Sequence, residues 1–376
     1  MRFRIFHYVL IFSGVATLAH ADGPHLGIKI ACRDYQNAWL SGQKGPLYGQ
    51  CGPALAAAWE RLPDDVFREL MRDPNTQLLS VSKQRRGHSA VVSVSGAQGN
   101  FQVLLNGKGF KWQVTDILTP DADRQLVSLT DVLNIASVSS EFGQGFDSPK
   151  FELFPGRVSE PLLSRLQSSN DVIGKEGGAF IGQLQMNRAA AQVRVKGNTA
   201  TLLVPVGAND SNQYIQLSLK QEQGWVVDDV SCKVPTLEMA SFRDALPMIV
   251  QANNLKLFLE NPKSRNPRDF VAAGTLREEL EAIRTTGTAV PKEDIGPHRL
   301  VTFSDDCRQM TCHHDKMTIA IDFDPERTMI REVRIVNGVH ASKMSDKLKT
   351  SRRYRATAKT VTKLTENWLA GIFSKH

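Results

Sequence analysis

The sequence predicts an α+β fold of two to three tandem repeats, each with front helices packed on an antiparallel sheet, followed by a C-terminal amphipathic helix. Three observations carry this expectation. A shift of 113 residues places Trp112 on Trp225, Val114 on Val227, Asp116 on Asp229, Ser128 on Ser241, Asp131 on Asp244 and Leu133 on Leu246. Self-similarity at a fixed offset is the mark of repeated architecture. Within each repeat, apolar residues at helical spacing precede residues that alternate with period two. Turn residues then separate the alternating runs, as antiparallel strands require.

The chain opens on a segment that reads as a cleavable signal peptide over residues 1–21. Arg2 and Arg4 supply the charge, Ile5 to Leu18 the apolar run, and Ala19-His20-Ala21 the small-residue cleavage site. The run is shorter than the ~20 residues that span a bilayer. Asp22-Gly23-Pro24 reads as an extended start, and residues 22–47 as an irregular lead-in. The expectation is an exported protein, periplasmic or extracellular, with no transmembrane segment in the mature chain. Cleavage takes two arginines from the 46 basic side chains and leaves the 39 acidic ones, a net charge near +5. That balance permits an anionic surface as partner without requiring nucleic acid, which an exported protein seldom meets.

The first α+β unit is read over residues 48–125. Leu55, Trp59 and Leu62 form one helical stripe, and Val66, Phe67, Leu70 and Met71 a second after the Pro63-Asp64-Asp65 break. Phe101, Val103 and Leu105 alternate, Asn106-Gly107 predicts a two-residue hairpin turn, and Phe110, Trp112 and Val114 alternate again. The second unit spans 126–238. There Ile215, Leu217 and Leu219 alternate, Gln223-Gly224 turns, and Trp225 and Val227 resume the apolar face. The third spans 239–341, where Met317, Ile319, Ile321 and Phe323 alternate before Asp324-Pro325. Met329 to Val333 then parallels Trp225 to Val230 without the tryptophan, and Ser345 to Leu348 parallels Ser241 to Leu246, at an offset of about 102 or 103.

The late strands read Phe110-Lys111-Trp112-Gln113-Val114-Thr115-Asp116-Ile117 and Gly224-Trp225-Val226-Val227-Asp228-Asp229-Val230. With helices before a meandering sheet, this resembles the nuclear transport factor 2-like superfamily over most of residues 48–340. The resemblance implies a curved sheet wrapped around helices, a cone with an internal pocket. Members include binding modules, isomerases, dehydratases and hydrolases, so the resemblance chooses no activity.

No motif forms a catalytic signature, and the sequence calls for no cofactor. Asp116 and Asp229 are weak catalytic candidates. Strand parity places them on the faces of Trp112 and Val114, and of Trp225 and Val227; Glu332 likewise shares the face of Ile330. In a pocket such a carboxylate would be desolvated toward general-base use. At a polar rim it would bond a turn or solvent.

All five cysteines follow the signal segment. Cys32 with Cys51, and Cys307 with Cys312, are disulfide candidates in an oxidising compartment, leaving Cys232 as a buried thiol. Cys307, Cys312, His313 and His314 are also weak metal-ligand candidates, beside Asp305, Asp306 and Asp315. Adjacent histidines on a strand point to opposite faces, which weakens a single-ion site. Gly107-Lys108-Gly109 and Gly174 to Gly178 read as turns and lack the rest of a phosphate loop.

Residues 342–376 form the predicted basic C-terminal helix, with a stripe of Tyr354, Ala358, Val361, Leu364, Trp368 and Ile372. Lys349, Arg352, Arg353, Lys359 and Lys363 are candidates for anionic-surface contact. The same pattern fits a docked helix with a solvated basic face. The leading functional expectation is an envelope binding or scaffolding protein without enzymatic activity, whose partner is an envelope protein, a small ligand or an anionic surface. The alternatives are an envelope hydrolase or lyase using Asp116 or Asp229, and a metal-binding protein built on Cys307 to His314.

Overall fold

A computed structural model describes residues 23–70, 78–96, 99–108, 111–145, 154–169, 191–206, 213–286, 298–314 and 318–336. The signal segment and the basic C-terminal segment, with Lys349, Arg352, Arg353, Lys359 and Lys363, lie outside the described residues. The protein is α+β, with eight α-helices and two sheets among the described residues. The first sheet has the order β1-β2-β3-β4-β5 and the second the order β14-β13-β12-β11-β10-β9-β8-β7-β6. Among the described residues, no helix is long and apolar enough to cross a membrane. The chain divides into two compact bodies, the first Met1–Phe142, Met186–Ala208 and Gln216–Val227, the second Gly143–Gln185, Asn209–Ile215 and Asp228–His376.

The first body begins with two helices. Residues 22–47, expected to be irregular, are largely helical: α1 spans Gly23–Leu40 and α2 Lys44–Gln50. Ile28, Ala31, Cys32, Tyr35 and Trp39 recur at spacings of three and four, and all are buried. That stripe outweighs the glycine and proline at the start, where proline is tolerated in a first helical turn. Helix α3 (Pro53–Arg61) follows an N-cap at Gly52 and buries Leu55, Ala58 and Trp59. Helix α4 (Asp64–Leu70) carries Asp64 and Asp65 in its first turn, where the helix dipole favours negative charge. Lys44 ties the helices together, pairing with Asp64 at 2.6 Å and donating to the Leu62 carbonyl. Trp59 meets Trp39 and Phe67 edge-on, with centroids 5.2 and 5.8 Å apart.

The sheet of this body is an antiparallel meander of β1 (Leu78–Arg86), β2 (Ser89–Gly96), β3 (Gly99–Lys108), β4 (Lys111–Pro120) and β5 (Leu126–Ser128). Asn106 and Gly107 do not form the turn. They pair with Gln113 and Trp112 inside the ladder, and Lys108 pairs with Lys111. Glycine is required at 107 for another reason: a Cβ there would lie 2.2 Å from the Lys111 carbonyl oxygen. The expected boundary between residues 125 and 126 separates β4 from β5, yet the two strands pair directly.

Strand β4 contains a bulge. Leu105 pairs with Val114 and Leu104 with Asp116, so Thr115 is the extra residue. The burial sequence changes accordingly: Trp112, Val114 and Ile117 are buried, while Thr115 and Asp116 are half-buried. Strict alternation therefore fails at Asp116, and the expectation that it shares the face of Trp112 and Val114 is corrected. Gly52 docks beside the bulge, its N–H donating to the Val114 carbonyl at 2.8 Å. A Cβ at Gly52 would come within 3.2 Å of the Thr115 methyl. The body also holds α5 (Leu129–Gly145), β6 (Gln192–Lys196) and β7 (Thr199–Pro205); α5 crosses its boundary at Phe142. The buried Asp121 carboxylate accepts the N–H groups of Asp123, Gln125 and Val195 at 2.8, 3.0 and 3.3 Å.

Strands β8 (Tyr214–Gln221) and β9 (Trp225–Val234) lie across the division between the bodies. As expected, Ile215, Leu217 and Leu219 are buried on β8. The second body holds β10 (Leu237–Met239), α6 (Glu160–Ser168), α7 (Phe242–Glu260) and α8 (Thr275–Thr286). Its sheet continues through β11 (His298–Phe303), β12 (Gln309–His314), β13 (Thr318–Phe323) and β14 (Ile330–Val336). Strand β10 joins β11 in parallel, and β11 to β14 meander antiparallel.

Strand β14 has a bulge too. Asp322 pairs with Glu332 and Phe323 with Ile330, leaving Arg331 extra. Ile330 and Val333 are buried, whereas Arg331 and Glu332 are exposed. Glu332 therefore does not share the face of Ile330, correcting that expectation as at Asp116. Beside this bulge the Ala272 N–H donates to the Ile330 carbonyl at 2.8 Å, the same approach that Gly52 makes to Val114.

Candidate functional site

Asp116 sits at the β4 bulge, opposite the start of α5. Its Oδ1 accepts the Ile117 N–H at 2.8 Å, the Thr130 N–H at 3.2 Å and the Thr130 hydroxyl at 3.1 Å. Its Oδ2 accepts the Ser128 hydroxyl at 2.6 Å. Ser128 Oγ in turn accepts the Asp131 N–H at 3.2 Å.

Asp229 repeats this arrangement on β9, opposite the start of α7. Oδ1 accepts the Val230 N–H at 2.8 Å and the Arg243 N–H at 3.0 Å, and Oδ2 accepts the Ser241 hydroxyl at 2.5 Å. Ser241 Oγ accepts the Asp244 N–H at 3.1 Å. Val227 and Val230 are buried and Asp228 and Asp229 half-buried, the same sequence of burial found from Val114 to Ile117.

These contacts satisfy the N–H groups that a helix leaves open at its first turn. A carboxylate is favoured there by the dipole, and charge-assisted bonds of this kind are worth about 1.5–3 kcal/mol each. Both oxygens of each aspartate face main-chain and hydroxyl donors of its own neighbourhood. The arrangement holds a strand end to the helix after it, and it aims neither carboxylate at a substrate proton as a general base requires.

The next acid along each helix receives a further donor. Asp131 accepts the Trp225 indole N–H at 2.9 Å within the first body. Asp244 pairs with Arg327 at 3.0 Å within the second. Arg243 adds an ion pair to Asp228 at 3.3 Å.

The five cysteines, all among the described residues, are buried, and none is bonded to another. Burial pushes the Cys51 thiol up to about 12. Burial also pushes Cys232 up to about 12, against a hydrogen bond from the Met239 main chain that lowers it. Such thiols are poor nucleophiles, because the thiolate is the reactive form. Tyr35 is fully buried; desolvation raises its phenol well above the tyrosine range, with Cys51 adding to the rise.

Cys307 lies in the β11–β12 turn with φ +49°. Burial raises its thiol and the nearby Arg327 opposes the rise. Cys312 is buried on β12 between Val301 and Ile319. His313, half-buried, lies 3.3 Å from the Thr318 hydroxyl through Nδ1. The His314 side chain and Asp315 lie outside the described residues. Among the described residues, no group of three His, Cys, Asp or Glu is arranged to hold a metal ion.

One polar groove was not anticipated. Asn266, Arg268, Glu281, Arg284 and Thr285 line an open volume of about 510 Å³ in the second body. Arg268 bonds Glu281 at 2.7 Å, and this hydrogen bond holds the Glu281 carboxyl below its usual range, helped by Arg277 and Arg284. Glu281, Arg284 and Thr285 come from α8, where they follow the polar face opposite Leu276, Leu280 and Ile283. That amphipathic pattern was readable in the sequence. The approach of Asn266 and Arg268 from the preceding turn was not. Two guanidiniums, one carboxylate, an amide and a hydroxyl leave the groove with a net positive charge.

No family model, no curated protein and no solved structure matches the chain.

Proposed function

We propose that this chain is an exported binding or scaffolding protein of the cell envelope, built from three repeats of one α+β unit and without a catalytic centre. The observation that carries the reading is the commitment of Asp116 and Asp229 to matching networks with Ser128 and Ser241. Residues that looked like candidate bases serve as ties between a strand and the following helix, and they do so twice in the same way. The bulge at Arg331 and Glu332 supports a third repeat at the offset read from the sequence. The charged and apolar pattern of residues 1–21 supports export.

The groove of Arg268 and Arg284 supplies a contact surface for a ligand carrying carboxylates and hydroxyls, such as an acidic saccharide. Guanidinium recognises carboxylate through paired N–H donors, and Asn266 and Thr285 match hydroxyls. Titration calorimetry of the full mature chain with an oligogalacturonate tests this. Binding weakened at least tenfold by Arg284→Ala and by Arg268→Ala is the expected result. Heats unchanged by both substitutions would remove the groove from the proposal.

A further inference from the structure

Between Asp73 and Asp116 the sequence has no acidic residue, yet it carries Lys83, Arg85, Arg86, His88, Lys108 and Lys111. The first sheet is thus of one sign from β1 up to the β4 bulge. The ladder gathers part of that charge at one rim. Arg86 pairs with Ser89, Ser89 with Asn106, and Asn106 with Gln113, one row across four strands. Residues directly opposite one another share a face, and so do residues two apart on a strand. Lys108 and Lys111, which pair with each other, therefore stand on the face of that row. All six positions are exposed, whereas Ala90, Leu105 and Trp112 on the other face are buried.

Lys108 and Lys111 are like charges directly opposite, an arrangement that weakens a sheet. Neither they nor Arg86 make a hydrogen bond or ion pair among the described residues. The two hairpin ends that carry these cations are tied together. The Gly107 N–H donates to the His88 carbonyl at 2.9 Å, and His88 Nδ1 lies 3.3 Å from the Gly107 carbonyl oxygen. Three strand spacings of about 4.8 Å set the strand of Arg86 roughly 14 Å from that of Lys111. An array that wide, with hydroxyl and amide groups between its charges, exceeds one small anion and matches an extended anionic surface.

We infer that this rim docks on the phosphate headgroups of an anionic lipid bilayer. Arg86, Lys108 and Lys111 make the charge contacts, and Ser89, Asn106 and Gln113 are their hydrogen-bonding neighbours. A bilayer offers many phosphates in one plane, so both hairpin ends engage it together. Its negative headgroups supply the counter-charge that the Lys108–Lys111 pair lacks among the described residues. Each Lys or Arg near such a surface raises affinity about fivefold. The site uses no residue of the Arg268 groove; the choice of lipid over another polyanion rests on the envelope reading of the proposed function.

Co-sedimentation of the full mature chain with vesicles tests it, using phosphatidylglycerol and, separately, phosphatidylcholine. Retention on phosphatidylglycerol that is lost at high salt, with none on phosphatidylcholine, is the expected result. Arg86→Gln, Lys108→Gln and Lys111→Gln should each weaken retention about fivefold, and together at least about thirtyfold. Lys196→Gln, Lys263→Gln and Arg265→Gln remove the same charge from exposed positions elsewhere and should together change it less than about twofold. Lys111→Glu guards against a folding artefact. It makes the cross-strand pair opposite in charge, so Tm should rise while retention falls. No retention of the wild type, or equal losses in the two triple variants, would overturn the inference. Retention unchanged by the first triple variant would do the same and assign the contact to another part of the chain. Tighter binding to polygalacturonate than to vesicles, lost in that same variant, would replace the bilayer by a soluble polyanion. Fractionation of cells making the precursor checks the envelope reading separately: a chain found in the cytoplasm would reject export without altering the vesicle result.

Discussion

The indole N–H of Trp225 donates to the carboxylate of Asp131 at 2.9 Å, joining residues 94 positions apart in the chain. Trp225 is buried and Asp131 is half-buried, so the bond is shielded from competing water. Its counterpart in the second body, Arg327 with Asp244, leaves 28% and 34% of the two side chains exposed. A double-mutant cycle on Trp225→Phe and Asp131→Asn should give a coupling of about 1.5–2 kcal/mol, the low end for a bond to a charged group. The cycle on Arg327→Met and Asp244→Asn should give less than about 1 kcal/mol, as partly solvated ion pairs do. Urea unfolding of each set measures both, and equal couplings would contradict the difference in burial.

Asp229→Ala strands a helix-end N–H and the Ser241 hydroxyl together. The loss of a cap at about 1 kcal/mol and of charge-assisted acceptors predicts a destabilisation of about 2–3 kcal/mol. Asp116→Ala should cost a similar amount, because its donors match. Asp229→Asn keeps one oxygen for the main-chain donors and should cost about half as much. Chemical denaturation read by tryptophan fluorescence would report all three.

Gly107→Ala tests the close approach of β3 to β4. The new methyl would lie 2.2 Å from the Lys111 carbonyl oxygen and 2.6 Å from the Trp112 Cα. Main-chain atoms must move to relieve this, at about 1–3 kcal/mol. Gly49→Ala, where a Cβ meets nothing within 4 Å, is the control and should be near neutral.

Alkaline stability should depend on Cys51 and Cys232. Burial raises both thiols from 9.0 in the unfolded chain to about 12 when folded. Between those limits the unfolded state loses its protons first, so the stabilisation is complete below about pH 9 and falls as pH rises toward 12. Each thiol contributes a slope of up to about 1.4 kcal/mol per pH unit in that window. Stability measured from pH 8.5 to 10.5 should fall less steeply in Cys51→Ser and Cys232→Ser than in the wild type. Parallel curves would show that the thiols do not titrate in this way.

The alternation of Ile215, Leu217 and Leu219, and of Ile319, Ile321 and Phe323, was readable because period two is a property of adjacent residues. The faces of Asp116 and Glu332 departed from strict alternation, because a bulge adds one residue and reverses all parity beyond it. Its signal is nevertheless present: Val114-Thr115-Asp116-Ile117 and Ile330-Arg331-Glu332-Val333 each place two polar residues in succession between apolar ones. Gly23-Pro24 has the composition of an extended start, yet proline is tolerated in a first helical turn, and the buried stripe of Ile28, Cys32, Tyr35 and Trp39 makes α1 a helix. The Arg268–Glu281 groove depends on a turn folding back against a helix, which no local pattern encodes.

The ties from Asp116 to Ser128 and from Asp229 to Ser241 each close a loop of only twelve residues. Loops of about ten residues close in about 10–100 ns, far faster than distant strands find one another. Each strand end and helix start can therefore meet early in folding, before β10 is joined by β11 from the far side of α7 and α8. Such early local closure lowers the entropy still to be lost when the long-range pairings form. Substitutions at Asp116 and Asp229 should accordingly slow refolding as well as hasten unfolding, making the two carboxylates kinetic landmarks of the chain.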